Sequence, residues 1–429
     1  MRKLIFVFII SIIGISISAQ KLIDIYKQGT VKLIPDPDYA KGNNWNVVFK
    51  TYYDTIYNTP MGERKSLKLM PDGSVVVNHA YRNYYSKFNP DGKFEKEFGI
   101  KNAKGEQLKK INAIEGIINN NTFFTGLDNM GNMICFDFNG NYEKTLKLDY
   151  MTNQMIPLPN SKIAVVGWVM WSSKFRDFIS IVDYSTNQQK VIWEHFTDRK
   201  DCGNNIDRPL FNYSFKTKKG YMVSINTMPF SKSIGLTSRP IIESVGNNLV
   251  VGVPTSGDVL VYDLDGNLKS KGKISWERTY ISVDEQKAIQ QKAIDKYKKM
   301  KDIFFDDEKF TEDKREKLNT LIQEMEDDLG KINTPIPLPA FSSVIKDSDG
   351  NLLFFEFPKE ENTNKFNVWI YQNSGKFVCQ SSFVCDDYNL VINSSKMVFY
   401  KGYIYALETL KKSEGVPLRL VRFRVTSNK

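Results

Sequence analysis

Histidine occurs only twice in these 429 residues and cysteine four times. Two histidines exclude a three-histidine zinc site, and they leave His79 and His195 as the only imidazoles for acid–base work. Four cysteines are too few for a disulfide-built scaffold, and Cys135, Cys202, Cys379 and Cys385 lack the paired short spacings of a metal finger. In an oxidising compartment Cys379 and Cys385, which flank a short segment, could pair; the plainer reading makes Cys135 and Cys379 small strand residues that fill a core. No GxSxG elbow occurs. Lys and Arg outnumber Asp and Glu by 59 to 49 but are scattered rather than bunched. The clustered footprint and stacking platforms of a nucleic-acid binder are therefore missing, and what remains is loose attraction to acidic polymers or anionic surfaces.

Long apolar runs are also scarce. The one candidate opens the chain, where Arg2 and Lys3 precede an apolar stretch from Leu4 to Ile15 and small residues ending at Ser18 and Ala19. This order is that of a signal peptide over residues 1–19, cut before Gln20, and the run is short of the ~20 residues that span a bilayer. No cysteine stands at the cut to carry a lipid. Loss of two positive charges takes the formal balance from +10 to +8. The expected mature chain is exported, soluble, and periplasmic or extracellular, with no stable membrane insertion.

What the sequence does contain is a repeating turn. "NPDGKF", "DFNGNY", "DLDGNL", "DSDGNL" and "QNSGKF" place Asp91-Gly92, Asn139-Gly140, Asp265-Gly266, Asp349-Gly350 and Ser374-Gly375 between β-rich runs, and Asp72-Gly73 belongs to the same class. Glycine supplies the positive φ and the preceding Asp or Asn bonds its own backbone, so these are hairpin signals. A calcium loop would need carboxylates at alternate positions over a dozen residues, whereas "DLDGNLKSKG" runs into lysines. Aligned on the turns, units emerge at 66–98, 112–148, 153–193, 240–274, 341–382 and 390–425, each reading as a four-stranded meander. Such units bury both faces against their neighbours and protect their edges by closing into a ring. The fold expected is an all-β, six-bladed β-propeller over residues 66–429. Seven blades is the alternative, because residues 204–230 hold a further strand-like "YMVSIN". The last unit shows three convincing strands, so a strand such as "TVKLIP" in the N-terminal segment 20–65 is expected to close the ring.

The phrases "MPDGSV" at 70–75, "FNPDGKFEKEFG" at 88–99 and "KDSDGNLLFFE" at 346–356 resemble those of exported six-bladed propellers of the NHL and TolB-like kind from Gram-negative bacteria. That resemblance covers roughly 66–425. It implies the fold and an envelope location but no particular activity, since binding proteins and enzymes share the architecture.

One segment departs from the β pattern. Over 282–331, Ser282 and Glu285 form a capping box, Ile289, Ala293, Tyr297, Met300 and Phe304 make one stripe, and Leu318, Leu321, Ile322, Met325 and Leu329 a second before Gly330. A helical hairpin is expected, inserted between the fourth strand of one blade and the first of the next. In a four-stranded meander that connection shares a face with the loop between the second and third strands, so the hairpin should overhang the face where propellers bind ligands.

Candidate ligand contacts are expected on that same face. His79, Tyr81 and Arg82 begin one variable loop, Trp168, Trp171 and Arg176 border another, His195 and Arg208 flank a third, and Trp276 with Arg278 approach the helices. Aromatic rings beside guanidinium forks can hold sugars or anions. Propeller lactonases and amidating lyases use central calcium or zinc sites built from several carboxylates, amides or histidines, and the sialidase Asp-box is absent. The expected function is accordingly a non-catalytic binding module for a small molecule, a glycan or an envelope protein, with no cofactor, no metal and no nucleic acid. A propeller hydrolase or lyase is the alternative, and a structural component of a cell-envelope complex is a third.

Overall fold

The structure is a computed structural model in which residues 21–49, 65–79, 84–108, 114–118, 122–126, 131–170, 174–198, 212–216, 222–226, 239–304, 311–358 and 364–427 are described. Antiparallel meanders of four strands dominate it: Lys65–Leu69 through Phe94–Phe98, Ile114–Ile118 through Tyr142–Lys147, Met151–Leu158 through Gln189–Asp198, and Ile241–Val245 through Leu268–Lys273. A fifth meander, Phe341–Lys346 through Phe377–Val384, shares a larger sheet with the C-terminal strands Met397–Tyr400, Tyr403–Leu410 and Leu418–Ser427.

Turn chemistry explains where the strands stop. In the second sheet the Asp137 carboxylate accepts the N–H groups of Asn139 and Asn141 at 2.8 and 2.9 Å. Asp263 does the same for Asp265 and Asn267, and Asp347 for Asp349 and Asn351. The acidic residues of the repeat are therefore spent on their own turns. Gly140 is fixed by more than its φ of +78°, since a Cβ there would lie 1.9 Å from the Gly99 carbonyl oxygen.

Alternate residues of the strands point to opposite faces, and both faces are covered. One apolar cluster joins the first and second sheets through Val76, Tyr85, Ile114, Phe123 and Phe136. Another joins the second and third through Phe124, Met133, Met155 and Val165, with Cys135 inside it. Further clusters link the third to the fourth, the fourth to the fifth, the fifth to the C-terminal strands, and those strands back to the first sheet through Leu67, Val77, Tyr405 and Leu420. The first strands of consecutive sheets touch in the same order, and Met397–Tyr400 meets both Phe341–Lys346 and Lys65–Leu69. The sheets are thus the blades of a β-propeller.

The N-terminal segment lies on the last of these sheets. Val31–Pro35 runs antiparallel to Leu418–Ser427, from Val31 opposite Ser427 to Pro35 opposite Phe423, and parallel to Phe377–Val384. Asp36 takes both Nε and Nη2 of Arg422 at 3.0 and 2.7 Å, while the short helix Leu22–Tyr26 buries Leu22, Ile25 and Tyr26. The Tyr26 hydroxyl donates to Asp347 at 3.0 Å.

Two helices, Val283–Phe304 and Glu312–Leu329, separate the fourth and fifth meanders. The Ser282–Glu285 box is formed: Glu285 N donates to Ser282 Oγ at 3.2 Å and Ser282 N to Glu285 Oε2 at 2.7 Å. A two-strand ribbon, Tyr280–Ile281 against Ile336–Pro337, holds the base of the helices. Between the helices, Gln290 reaches the Met325 carbonyl at 3.4 Å and Lys298 pairs with Glu326 at 2.6 Å. No helix among the described residues is long and apolar enough to cross a membrane. Cys379 and Cys385 are unbonded, and burial pushes the Cys135 thiol up to about 12.

Candidate functional site

The register of the third sheet sets Met151 opposite Trp168, Trp168 opposite Asp177, and Asp177 opposite His195. Directly paired residues share a face, so these four side chains form one row. Ala164, Val166 and Ile179 continue that face into the cluster shared with the fourth sheet. Across it stands Arg239, immediately ahead of the fourth sheet's first strand. Its guanidinium lies 4.7 Å from the Trp168 ring, Nη1 donates to Asn153 Oδ1 at 3.0 Å, and Nε is 3.6 Å from Asp177 Oδ1. Burial lowers the Arg239 pKa and Asp177 partly offsets this. The residue was not a candidate from sequence, where its only signal is being the last cation before a blade begins.

The remaining candidates are distributed differently. Arg176 occupies the other face of the third sheet, bonded through Nε and Nη2 to Glu194 Oε2 at 3.0 and 2.7 Å and lying over Phe178. His195 is exposed, with its ring 6.2 Å from Trp193. Trp276 sits against Gly257, where a Cβ would come within 2.2 Å of the indole, and its buried Nε1 has no partner among the described residues. Arg278 is exposed with its guanidinium 5.7 Å from that ring. His79 ends the strand Val75–His79 and pairs with Lys65. Tyr81, Arg82, Trp171 and Arg208 lie outside the described residues. Of the sequence candidates, then, Trp168 and His195 share a face, two strands apart with Asp177 between them, while Arg176 is separated from them by the thickness of a sheet and Trp276 by a whole blade.

A second constellation lies on the inner strands, and it was missed from sequence. Lys68, Glu115, Glu243 and Lys346 come from the first strands of the first, second, fourth and fifth sheets, and all four keep partial exposure. Lys346 Nζ donates to the Ser244 carbonyl at 2.5 Å and stands 3.7 Å from Glu243 Oε1. Lys68 interacts electrostatically with Glu115, Glu243 and Lys346. The strands of Lys68 and Glu243 are not neighbours in the circuit, so that coupling runs across the propeller axis. Burial pushes the Lys68 ammonium down, outweighing the two carboxylates. It also pushes Glu115 up to about 7, against the pull of Lys68 and of a hydrogen bond from the Met155 backbone. A carboxyl that titrates near neutrality beside a cation can accept or donate a proton, or switch between hydrogen-bond donor and acceptor toward a ligand. The legible signal was a charge among the apolar residues of each opening strand, in "SLKLM", "IEGII", "IIESV" and "SVIK". Among the described residues no group of three or more His, Cys, Asp or Glu is arranged to hold a metal ion.

No family model matches the chain, and no curated protein matches it. Among solved structures, a member of the DUF4221 family from Bacteroides vulgatus shares 10% identity, covering 93% of this chain and 99% of that one, at a TM-score of 0.48. A Bacteroides fragilis protein described provisionally as exported gives 10% identity, coverage of 93% and 96%, and a TM-score of 0.45. Virginiamycin B lyase from Staphylococcus aureus gives 12%, coverage of 84% and 93%, and 0.36.

Proposed function

We propose that the chain is an exported six-bladed propeller of the NHL and TolB-like kind that acts as a non-catalytic binding module. Its ligand, a small polar molecule, a glycan or a segment of an envelope protein, is received on the face from which the helices leave. The observation that carries the reading is the electrostatic coupling of Lys68 to Glu115, Glu243 and Lys346, charges that come from four different blades and keep partial exposure, with Glu243 and Lys346 3.7 Å apart. Burying charge is costly, and closing a ring of sheets requires none of it. Support for six blades comes from the circuit of inner strands, in which Val31–Pro35 serves as the outer strand of the last blade, while Asn212–Lys216 and Met222–Asn226 form a two-stranded sheet of their own among the described strands. Export is supported by the charge, apolar and small-residue order of positions 1–19. The choice of face is supported by the helices leaving the fourth blade at the end where Trp168 and Arg239 lie.

A specific observation favours a second reading. Glu115 titrating near neutrality next to Lys68 has the pattern of a general acid–base pair, which suits a hydrolase or lyase. Purified mature protein incubated with lactone, glycoside and peptide panels, with and without EDTA, separates the two. Binding of a charged probe without turnover supports the module; turnover abolished in Glu115→Gln supports the enzyme. Co-purification with membrane proteins would instead indicate a component of an envelope complex.

A further inference from the structure

At the opposite end of the propeller, where the Asp-Gly and Asn-Gly turns lie, a cleft of about 240 Å³ opens between the first and second sheets. Its floor is Met70, Val76 and Phe123, each at most 6% exposed. Phe98 and Phe138 form half-buried walls, with Phe138 edge-on to Phe123 at 4.7 Å. A cavity of roughly 150 Å³ accepts benzene, so this one has space for an aromatic ring with a short tail.

Two lysines and the carboxylate of Asp72, which acts electrostatically on Lys87, stand at the mouth. Lys87 and Lys96 both line it and stand directly opposite each other across the ladder of Tyr85–Phe88 and Phe94–Phe98. Like charges in that relation destabilise a sheet, and an anion held between them relieves the repulsion. Glu95 lies 2.9 Å from the Lys87 ammonium, but among the described residues Lys96 has no ion-pair partner. The carboxylate in the lining, Asp72, has Oδ1 occupied by the Ser74 N–H and hydroxyl at 2.9 and 2.7 Å.

We propose that this cleft binds a small aromatic or acyl carboxylate, its apolar body against Phe98, Phe123 and Phe138 and its carboxylate between Lys87 and Lys96. None of the four axial charges lines the cleft, although Lys68 stands opposite Val76 of its floor, and the cleft lies at the end of the propeller away from the helices. The probe is 3-phenylpropionate, titrated into the mature chain by calorimetry and followed by methionine-methyl NMR with Met70 assigned from Met70→Leu. It should bind at about 1 mM or tighter, as a fragment of this size does in a fitting pocket, and should shift the Met70 methyl. 3-Phenylpropan-1-ol and acetate, which each lack one half of the match, should bind at least about tenfold more weakly. The exposed Lys96→Glu change should weaken the acid about tenfold while leaving the alcohol unmoved and the melting temperature no lower than the parent's. No binding of the acid at about 10 mM, an alcohol that binds as tightly as the acid, or an acid indifferent to Lys96→Glu would each overturn the proposal.

Discussion

Replacing Glu115 with glutamine isolates the charge that makes the axis unusual. In the folded chain burial moves this carboxyl from 4.5 to about 7, so between those values the native state holds a proton that the unfolded state has released. Stability therefore falls as pH rises through that window, and it is flat above it with respect to this group. At about 1.4 kcal/mol per pKa unit the full penalty above pH 7 is about 3 kcal/mol. Glu115 is only partly shielded from solvent, so about 1–3 kcal/mol is the expected range. Glutamine keeps the shape and cannot ionise. Urea unfolding of both proteins at pH 4.5 and pH 8 should thus show Glu115→Gln gaining about 1–3 kcal/mol on the parent between the two conditions. Lys68→Met, which removes the cation that restrains the shift, should move the parent's midpoint higher. A difference between parent and Glu115→Gln that does not change with pH would refute the electrostatic account of the axis.

Other perturbations test the frame around it. Deleting residues 20–36 strips the strand Val31–Pro35 and the Asp36 partner of Arg422, exposing the edge of Leu418–Ser427; light scattering should report aggregation, and an unchanged monomer with an unchanged melting temperature would contradict ring closure. Gly140→Ala should cost at least about 2 kcal/mol, since both the φ of +78° and the nearby Gly99 carbonyl oppose a side chain, and a denaturant midpoint like the parent's would count against this. Exchanging residues 282–331 for a short Gly-Ser linker should leave the cooperative melt intact, because blades pack mainly on their neighbours, while altering the binding or exchange rate of any ligand found on that face. A linker variant that fails to fold would show the helices to be part of the core.

Much of this was legible because turn chemistry is local. Asp137, Asp263 and Asp347 each bond the backbone within four residues, so the repeat could be read without knowing what packs on what. The helix cap was equally local. Less legible was the buried face of Val283–Phe304, where Gln286 and Gln290 sit inside beside Ile294. An apolar-only stripe passes over both glutamines, yet each is accommodated by a carbonyl, Thr334 for Gln286 and Met325 for Gln290. The candidate site was the hardest part. Loops rich in aromatics and arginine drew attention, but which of those residues meet depends on sheet faces: a one-residue step separates Trp168, stacked with Arg239, from the row holding Arg176. Lys68, Glu115, Glu243 and Lys346 are spread over 279 positions of sequence and come within electrostatic range of one another only when the ring closes.

The central claim is that the axial charges receive a ligand. Its most direct test is a thermal-shift and calorimetric screen of sugar acids, amino sugars, amino acids and neutral disaccharides against the parent, Lys68→Met and Glu115→Gln. At least one charged probe should stabilise the parent without being consumed and bind each variant about tenfold more weakly, a loss of about 1.4 kcal/mol. Charged probes that bind all three proteins equally, or none that bind the parent at all, would contradict it.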